Sequence, residues 1–411
     1  GADIRESPAL LMRAAKQLEA FDVSAASEVY LQALGAASMA GNNARGVAIV
    51  DVARAALACP RSESPTLIEE LTAALAKESV DGLAVAAPDL RHVLEKTKTD
   101  AVTTVPFYGF AFLGSAAALL WDRDALHRAT EMHLSATRDI GALTMLPWAL
   151  NTMVLLHTLD GDFHGASSAA AEARDIVQDT GGNLGLAWSH AILTAWRGDA
   201  TALQSLDALA DKSRSSGNAQ GLRNALWGRA ILHNGAGQYK LALEASSEAM
   251  LDVADWGNHL FFHEGVEAAV RCGEHSIGVS MLERLRRSTE PSGGDWSIGV
   301  QRRSEALFAA GRDADDLYGE AIERLSRTAL RPELARAHLL HGESLRRQNR
   351  RLDAREHLRI AHDMFVAIGS HGFAERSRNE LLATGEKVRK RSQASGSELT
   401  PQETQIARLA A

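Results

Sequence analysis

Apolar residues recur at helical spacing along most of the chain, in segments of about a dozen positions separated by short polar or glycine-bearing breaks. The breaks keep a rhythm. Turn signals between two helical segments stand at Gly161 (LDGDF), Gly198 (WRGDA), Gly237 (GAGQY), Gly273 (RCGEH), Gly311 (AAGRD) and Asn349 (RQNRR), at successive intervals of 37, 39, 36, 38 and 38 residues. Each interval has room for two helices and two connections, so the pattern predicts one helical hairpin repeated several times. The segment LWDRDALHRA extends the spacing toward the N-terminus, with Asp122 standing 39 residues before Gly161.

Aligning the turns exposes columns of small residues. Seven positions before the turn stand Val154, Ala191, Ala230, Val266, Ser304 and Gly342; five after it stand Ala166, Leu203, Ala242, Gly278, Asp316 and Ala354. Twelve after it come Ala173, Ala210, Ala249, Leu285, Glu323 and Ala361. Small side chains at fixed offsets let neighbouring helices approach closely without voids. The pattern is similar to tetratricopeptide repeats, although the period is longer and Asp316, Glu323 and Leu285 break the columns. The expectation is an all-α chain, a right-handed superhelical α-solenoid of tetratricopeptide-like hairpins.

Toward the N-terminus the rhythm loosens. SPALLMRAAKQLEAFD, VSAASEVYLQALGAASMAG, NARGVAIVDVARAALAC and PTLIEELTAALAKE read as helices without a fixed register. We therefore expect an irregular capping region over residues 1–100, repeats over 101–385, a basic linker over 386–398 and the start of another helix over 399–411. That last segment carries Thr400 at an N-cap, Pro401 at the first helical position and Glu403 completing a capping box. A short helix without a partner is marginal in water.

Composition refines this picture. Apolar residues make up 45% of the chain and charged residues 23%, a balance that argues against disorder. Alanine is frequent and there are only nine prolines, which favours helix. The two cysteines, Cys59 and Cys272, form no CxxC pair, and no basic stretch leads into a short apolar core, so a reducing cytoplasm is the expected compartment. The uncharged stretch Ala101 to Trp121 is long enough to cross a bilayer, but Pro106, Gly109 and Gly114 dilute it, and a helix buried within the protein is the expected reading. A net charge of −8 gives no overall attraction to nucleic acid, so any DNA contact is expected to be local, weak and confined to the backbone, through Lys387, Arg389, Lys390 and Arg391.

Two regions carry a resemblance beyond a generic solenoid. GGDWSIGVQRRSEALF (293–308) and the run from ELARAHLLHGESLRR to GEKVRKR (333–391), followed by ELTPQETQIARLAA, look like the C-terminal portion of large ATP-binding regulators of the LuxR family. The resemblance implies an order of ATPase, helical repeats, linker and helix-turn-helix domain. The final segment is similar to the first helix of that DNA-binding domain, cut before its recognition helix. The chain has no Gly-Lys dipeptide, hence no GxxxxGK[ST] loop for nucleotide phosphates. The resemblance thus implies a sensor or interaction module that relays binding of an effector or partner to ATPase and DNA-binding parts outside this sequence.

Candidate chemistry is sparse. His259 and His263 lie four apart with Glu264 and Glu267 nearby, a partial zinc pattern that lacks a clear third ligand; His338 with His341, and His357 with His362, are weaker. No nucleophile motif stands out, so no enzymatic activity, cofactor or metal is expected. A small-molecule enzyme or metal protein built on the same solenoid is the alternative. The aromatic residues are more informative: Trp148, Asn151, Trp188, Arg223, Trp227, Phe262 and His263 fall in the first helices of successive hairpins at nearly repeating offsets. Those helices line the concave side of a solenoid, where a groove for a small molecule or protein partner is expected. The competing expectation is that the rings fill gaps between hairpins.

Overall fold

A computed structural model describes residues 3–98, 105–106, 108–180, 188–251 and 259–386. Lys387, Arg389, Lys390, Arg391 and the helix start at 399–411 lie outside the described residues. Within them the fold is all-α, with twenty α-helices and no strand.

Five helices precede the regular array: α1 (Ser7–Leu18), α2 (Val23–Ala40), α3 (Ile49–Ala58), α4 (Leu67–Asp81) and α5 (Leu83–Lys96). Helix α4 begins at a capping box, where the Thr66 hydroxyl accepts the Glu69 amide at 3.3 Å and the Glu69 carboxylate accepts the Thr66 amide at 3.1 Å. Seven hairpins follow. They pair α6 (Gly109–Leu119) with α7 (Arg123–Asp139), α8 (Leu146–Asp160) with α9 (Phe163–Thr180), and α10 (Trp188–Arg197) with α11 (Ala202–Ser216). Next come α12 (Ala219–Gly235) with α13 (Tyr239–Ala249), α14 (Phe262–Cys272) with α15 (His275–Ser292), α16 (Asp295–Ala306) with α17 (Gly311–Ser326), and α18 (Arg331–Arg347) with α19 (Arg351–Ile368). Helix α20 (His371–Ala383) ends the array. Among the described residues no helix is long and apolar enough to cross a membrane, and α6, the described helix of the uncharged stretch, is largely buried.

The hairpin turns fall where the sequence pattern puts them, for a backbone reason. Gly161, Gly198, Gly237, Gly273 and Gly311 have φ of 82°, 73°, 70°, 79° and 58°, and Asn349 has 63°. This left-handed region favours glycine and tolerates asparagine. The preceding turn reaches it through Trp121, at φ 54°, and its ring meets Trp296 edge-on with centroids 5.0 Å apart. One hairpin shifts the register. Helix α17 starts at Gly311 itself, whereas α9, α13, α15 and α19 start two residues after their turn residue. Ala314 and Ala321 therefore occupy the buried small positions of α17, while Asp316 and Glu323 face solvent.

The solenoid winds tightly enough for successive superhelical turns to touch. Asn43 Nδ2 donates to the Gly217 carbonyl at 3.3 Å, Arg91 Nη2 to the Ser292 carbonyl at 3.1 Å, and Ser370 Oγ to the Trp196 carbonyl at 2.5 Å. Gly161 packs on Arg331, Pro332 and Ile368, and a β-carbon at Gly198 would stand 3.0 Å from the Gly372 backbone. These partners are separated by four to five hairpins. The first helices consequently bury several faces: α12, α14 and α18 carry buried residues almost all round, while α13, α15 and α19 bury one stripe.

Candidate functional site

The concave side differs between the two ends of the array. Toward the C-terminal end it is filled by charge. Arg336 donates to Glu264 at 2.6 Å and to Glu267 at 2.7 and 2.9 Å, tying α18 to α14. Arg376 of α20 donates to Glu267 at 2.7 Å, to Glu343 at 2.8 Å and to the Asn234 carbonyl at 3.0 Å. Arg271 pairs with Glu343, and Arg303 with Glu333 at 2.5 Å. Four arginines thus meet four glutamates with little or no solvent contact. Burial raises the Glu264 and Glu267 carboxyls, but the Arg336 charge together with His263 beside Glu264 and with Arg376 and Arg271 near Glu267 outweighs it and holds both below the ordinary carboxylate range. Desolvated charges are stable only when matched and hydrogen-bonded, and each of these eight has an oppositely charged partner, although Arg271 Nε is buried without a hydrogen bond among the described residues.

Toward the N-terminal end lies an open-mouthed cavity of about 620 Å³. Its walls come from α2 (Gln32, Gly35, Ser38, Met39), α6 (Phe110, Phe112), α7 (Thr130, His133), α8 (Trp148, Thr152) and α12 (Arg223, Asn224, Trp227), with Trp188 and Phe261 closing it. Ile4, Ser7 and Leu11 cover one side, and Arg5 lies against the Gly217 turn. Gly35 has a structural reason to be glycine: a β-carbon there would stand 2.5 Å from the Phe112 ring. Arg223 is buried and donates to the Ser38 carbonyl at 3.3 Å. His133 meets Trp148 edge-on at 6.4 Å, and burial lowers its pKa to about 4, so the imidazole is neutral near pH 7. Ser38 Oγ, His133 Nε2 and Trp227 Nε1 are buried without a hydrogen-bond partner among the described residues.

Of the residues singled out from sequence, Trp148, Trp188, Arg223 and Trp227 line this cavity. Trp227 also belongs to the hydrophobic core, so one ring serves both packing and cavity wall. Asn151, Phe262 and His263 lie elsewhere. Asn151 accepts the Ser189 amide at 3.3 Å in the interior, while its neighbour Thr152 lines the cavity. Phe262 packs on Phe261, which takes the wall position, and carries the Arg284 guanidinium 5.8 Å from its ring centroid. His263 sits in the ionic cluster, with Nε2 3.2 Å from Glu264 and 3.6 Å from Glu333. The expected continuous groove is therefore corrected: tight winding divides the concave side into a cavity and a filled charged core. The sequence reading missed the contribution of α2 and α6, whose visible signal was Gly35 within a small-residue run, LGAAS.

The weaker histidine groups fare similarly. His338 and His357 bring their Nδ1 atoms to 2.9 Å, and His341 lies 3.5 Å from Asp315. The near contact of two Nδ1 atoms requires one to donate and the other to accept. His362 lies beside Asp363 at 3.3 Å. Among the described residues no group of three or more His, Cys, Asp or Glu side chains is arranged to hold a metal ion.

No protein-family model matches the chain, and no curated protein does. A solved structure titled as a circular tandem repeat protein with novel repeat topology and enhanced subunit contact surfaces aligns at 15% identity over 91% of this chain and 87% of that one. Its TM-score is 0.15, too low for the likeness to carry an argument, and the fold assignment rests on the helices described above.

Proposed function

We propose that this chain is a small-molecule sensor module of a LuxR-family transcriptional regulator working in the cytoplasm, relaying ligand binding to ATPase and DNA-binding parts outside this sequence. The observation that carries the sensing half is the 620 Å³ cavity, whose size falls in the range of small-molecule sites and whose wall combines tryptophans with a few polar groups. A recess of this volume walled by α2, α6, α8 and α12 favours a small molecule over a protein partner. The family half rests on the resemblance of residues 293–308 and 333–391 and of the final segment.

The cavity's position suggests how binding is relayed. It lies where the N-terminal helices α1 and α2 meet α12 of the array, so an occupant adds contacts on both sides of that junction. A ligand shifts an equilibrium only through such differential contact. The test is a thermal-shift screen of a small-molecule library against the wild-type protein and Thr152→Trp, which fills the cavity. Hits that raise the melting temperature of the wild type and not of the variant support the sensor reading. Hits indifferent to the substitution, or none, would remove it.

A further inference from the structure

Resting on that sensor reading, we propose that Gly35 and Phe112 act as a matched pair that sets how large an apolar ligand the cavity admits between α2 and α6. Both residues line the cavity, and they come from helices far apart in the chain. A β-carbon built on Gly35 would stand 2.5 Å from Phe112 Cε1 and 2.7 Å from Cζ, and the three nearest described atoms all belong to that ring. Among the described residues it is the ring tip, and no backbone approach, that asks for glycine here.

The glycine runs against local preference. Six of the eighteen positions of α2 are alanine, and Gly35 stands inside the helix, where glycine is the poorer helix former because it loses more backbone freedom. Glycines elsewhere in the array answer a different need. Gly228, Gly299 and Gly342 meet Leu206, Leu325 and Leu358, which are buried in the hydrophobic core and are not on the cavity wall. Gly35 instead gives up its volume to a ring that borders a cavity of ligand size, and so shapes that cavity.

The seam between the two helices is tied against parting. One helical turn before Phe112, the Tyr108 hydroxyl donates to the Glu28 carboxylate and joins the start of α6 to α2. With the helices held, an ordinary carbon–carbon contact of about 3.5 Å would require the ring tip to move by about 1 Å if Gly35 carried a methyl group. Gly35 and Phe112 both line the cavity, so the methyl and the displaced ring together narrow the space between the helices. One methyl group in an apolar pocket is worth about tenfold or more against a ligand that already fills the space, and little against one that does not.

Fluorescence titration of the full chain with three neutral apolar probes of rising size, 2-naphthol, N-phenyl-1-naphthylamine and Nile red, tests the pair. Gly35→Ala should weaken Nile red by about tenfold or more and 2-naphthol by less than about twofold. Alanine suits the interior of α2, so a thermal melt should show this variant folded. Phe112→Leu removes the ring tip and should raise Nile red affinity relative to 2-naphthol by about threefold or more; in that background Gly35→Ala should change neither probe by more than about twofold. Should Gly35→Ala unfold, the Phe112→Leu shift decides alone. A loss shared equally by all probes, no loss at all, or a loss that persists in Phe112→Leu would overturn the pair, and so would a wild type that binds 2-naphthol but not Nile red. The sensor reading survives those outcomes if probe binding is lost in Thr152→Trp. Silence from all three probes, or binding indifferent to Thr152→Trp, would overturn both.

Discussion

Arg336→Met offers a sharp test of how the superhelix is closed. The guanidinium is fully buried and makes two hydrogen bonds to each of two glutamates. Methionine preserves much of the volume and removes all four. Glu267 keeps Arg376 at 2.7 Å, and Glu264 keeps Asn234 Nδ2 at 2.7 Å, so neither carboxylate is stripped entirely. Removing one partner of a buried pair costs about 3–5 kcal/mol, and the retained contacts place the loss toward the lower end of that range. Replacing both partners, Arg336→Met with Glu264→Gln, should recover about half or more, because an ion pair exchanged for neutral groups of similar size is often close to neutral in stability. Urea unfolding followed by circular dichroism gives the global figure, and amide exchange in α14 and α18 gives the local one. A loss below about 1 kcal/mol for the single variant, or a double variant as unstable as the sum of the singles, would refute a closing role for the cluster.

Acid should weaken the fold in two stages. His133, His338 and His341 have pKa values lowered by burial from 6.5 to about 4, so the unfolded chain binds more protons between those values. Their contribution is present above pH 6.5 and fades as pH falls toward 4, by up to about 1.4 kcal/mol per unit for each group; a urea midpoint unchanged between pH 7.5 and 4.5 would contradict this. Glu264 and Glu267, held below 4.5, lose their contribution only on further acidification, so Arg336→Met should flatten stability below pH 4. Gly161→Ala and Gly198→Ala should cost more than Gly237→Ala and Gly273→Ala. All four place a side chain at positive φ, worth about 1–2 kcal/mol, but only the first two add a β-carbon against the next superhelical turn. Equal melting temperatures across the four would argue against those contacts.

Legibility in the sequence tracked the range of the interaction. Turns were readable because a left-handed residue is a local demand, met by glycine at five places and asparagine at one. Trp121 meets the same demand with a side chain that gives no such signal, and its ring packs on distant Trp296. The column breaks at Asp316 and Glu323 came from a helix that begins two residues early relative to its turn glycine. Trp148, Trp188 and Trp227 were readable as one face, but a helix turns about 100° per residue, so a one-position offset sent Asn151 and Phe262 away from the cavity that Thr152 and Phe261 line. The ionic cluster was hidden altogether. Its partners lie up to 109 residues apart, and nothing in the local pattern around Arg336 or Glu264 distinguishes a buried charge from a solvated one.

The central claim is that a ligand enclosed between the N-terminal helices and the repeat array ties the two together. Hydrogen–deuterium exchange of the full chain, with and without a saturating probe selected in the thermal-shift screen, tests it most directly. The account predicts slowed exchange in α2, α6, α8 and α12 together, with α16 to α19 unchanged. Protection confined to the C-terminal hairpins, or to the array without α2, would contradict it.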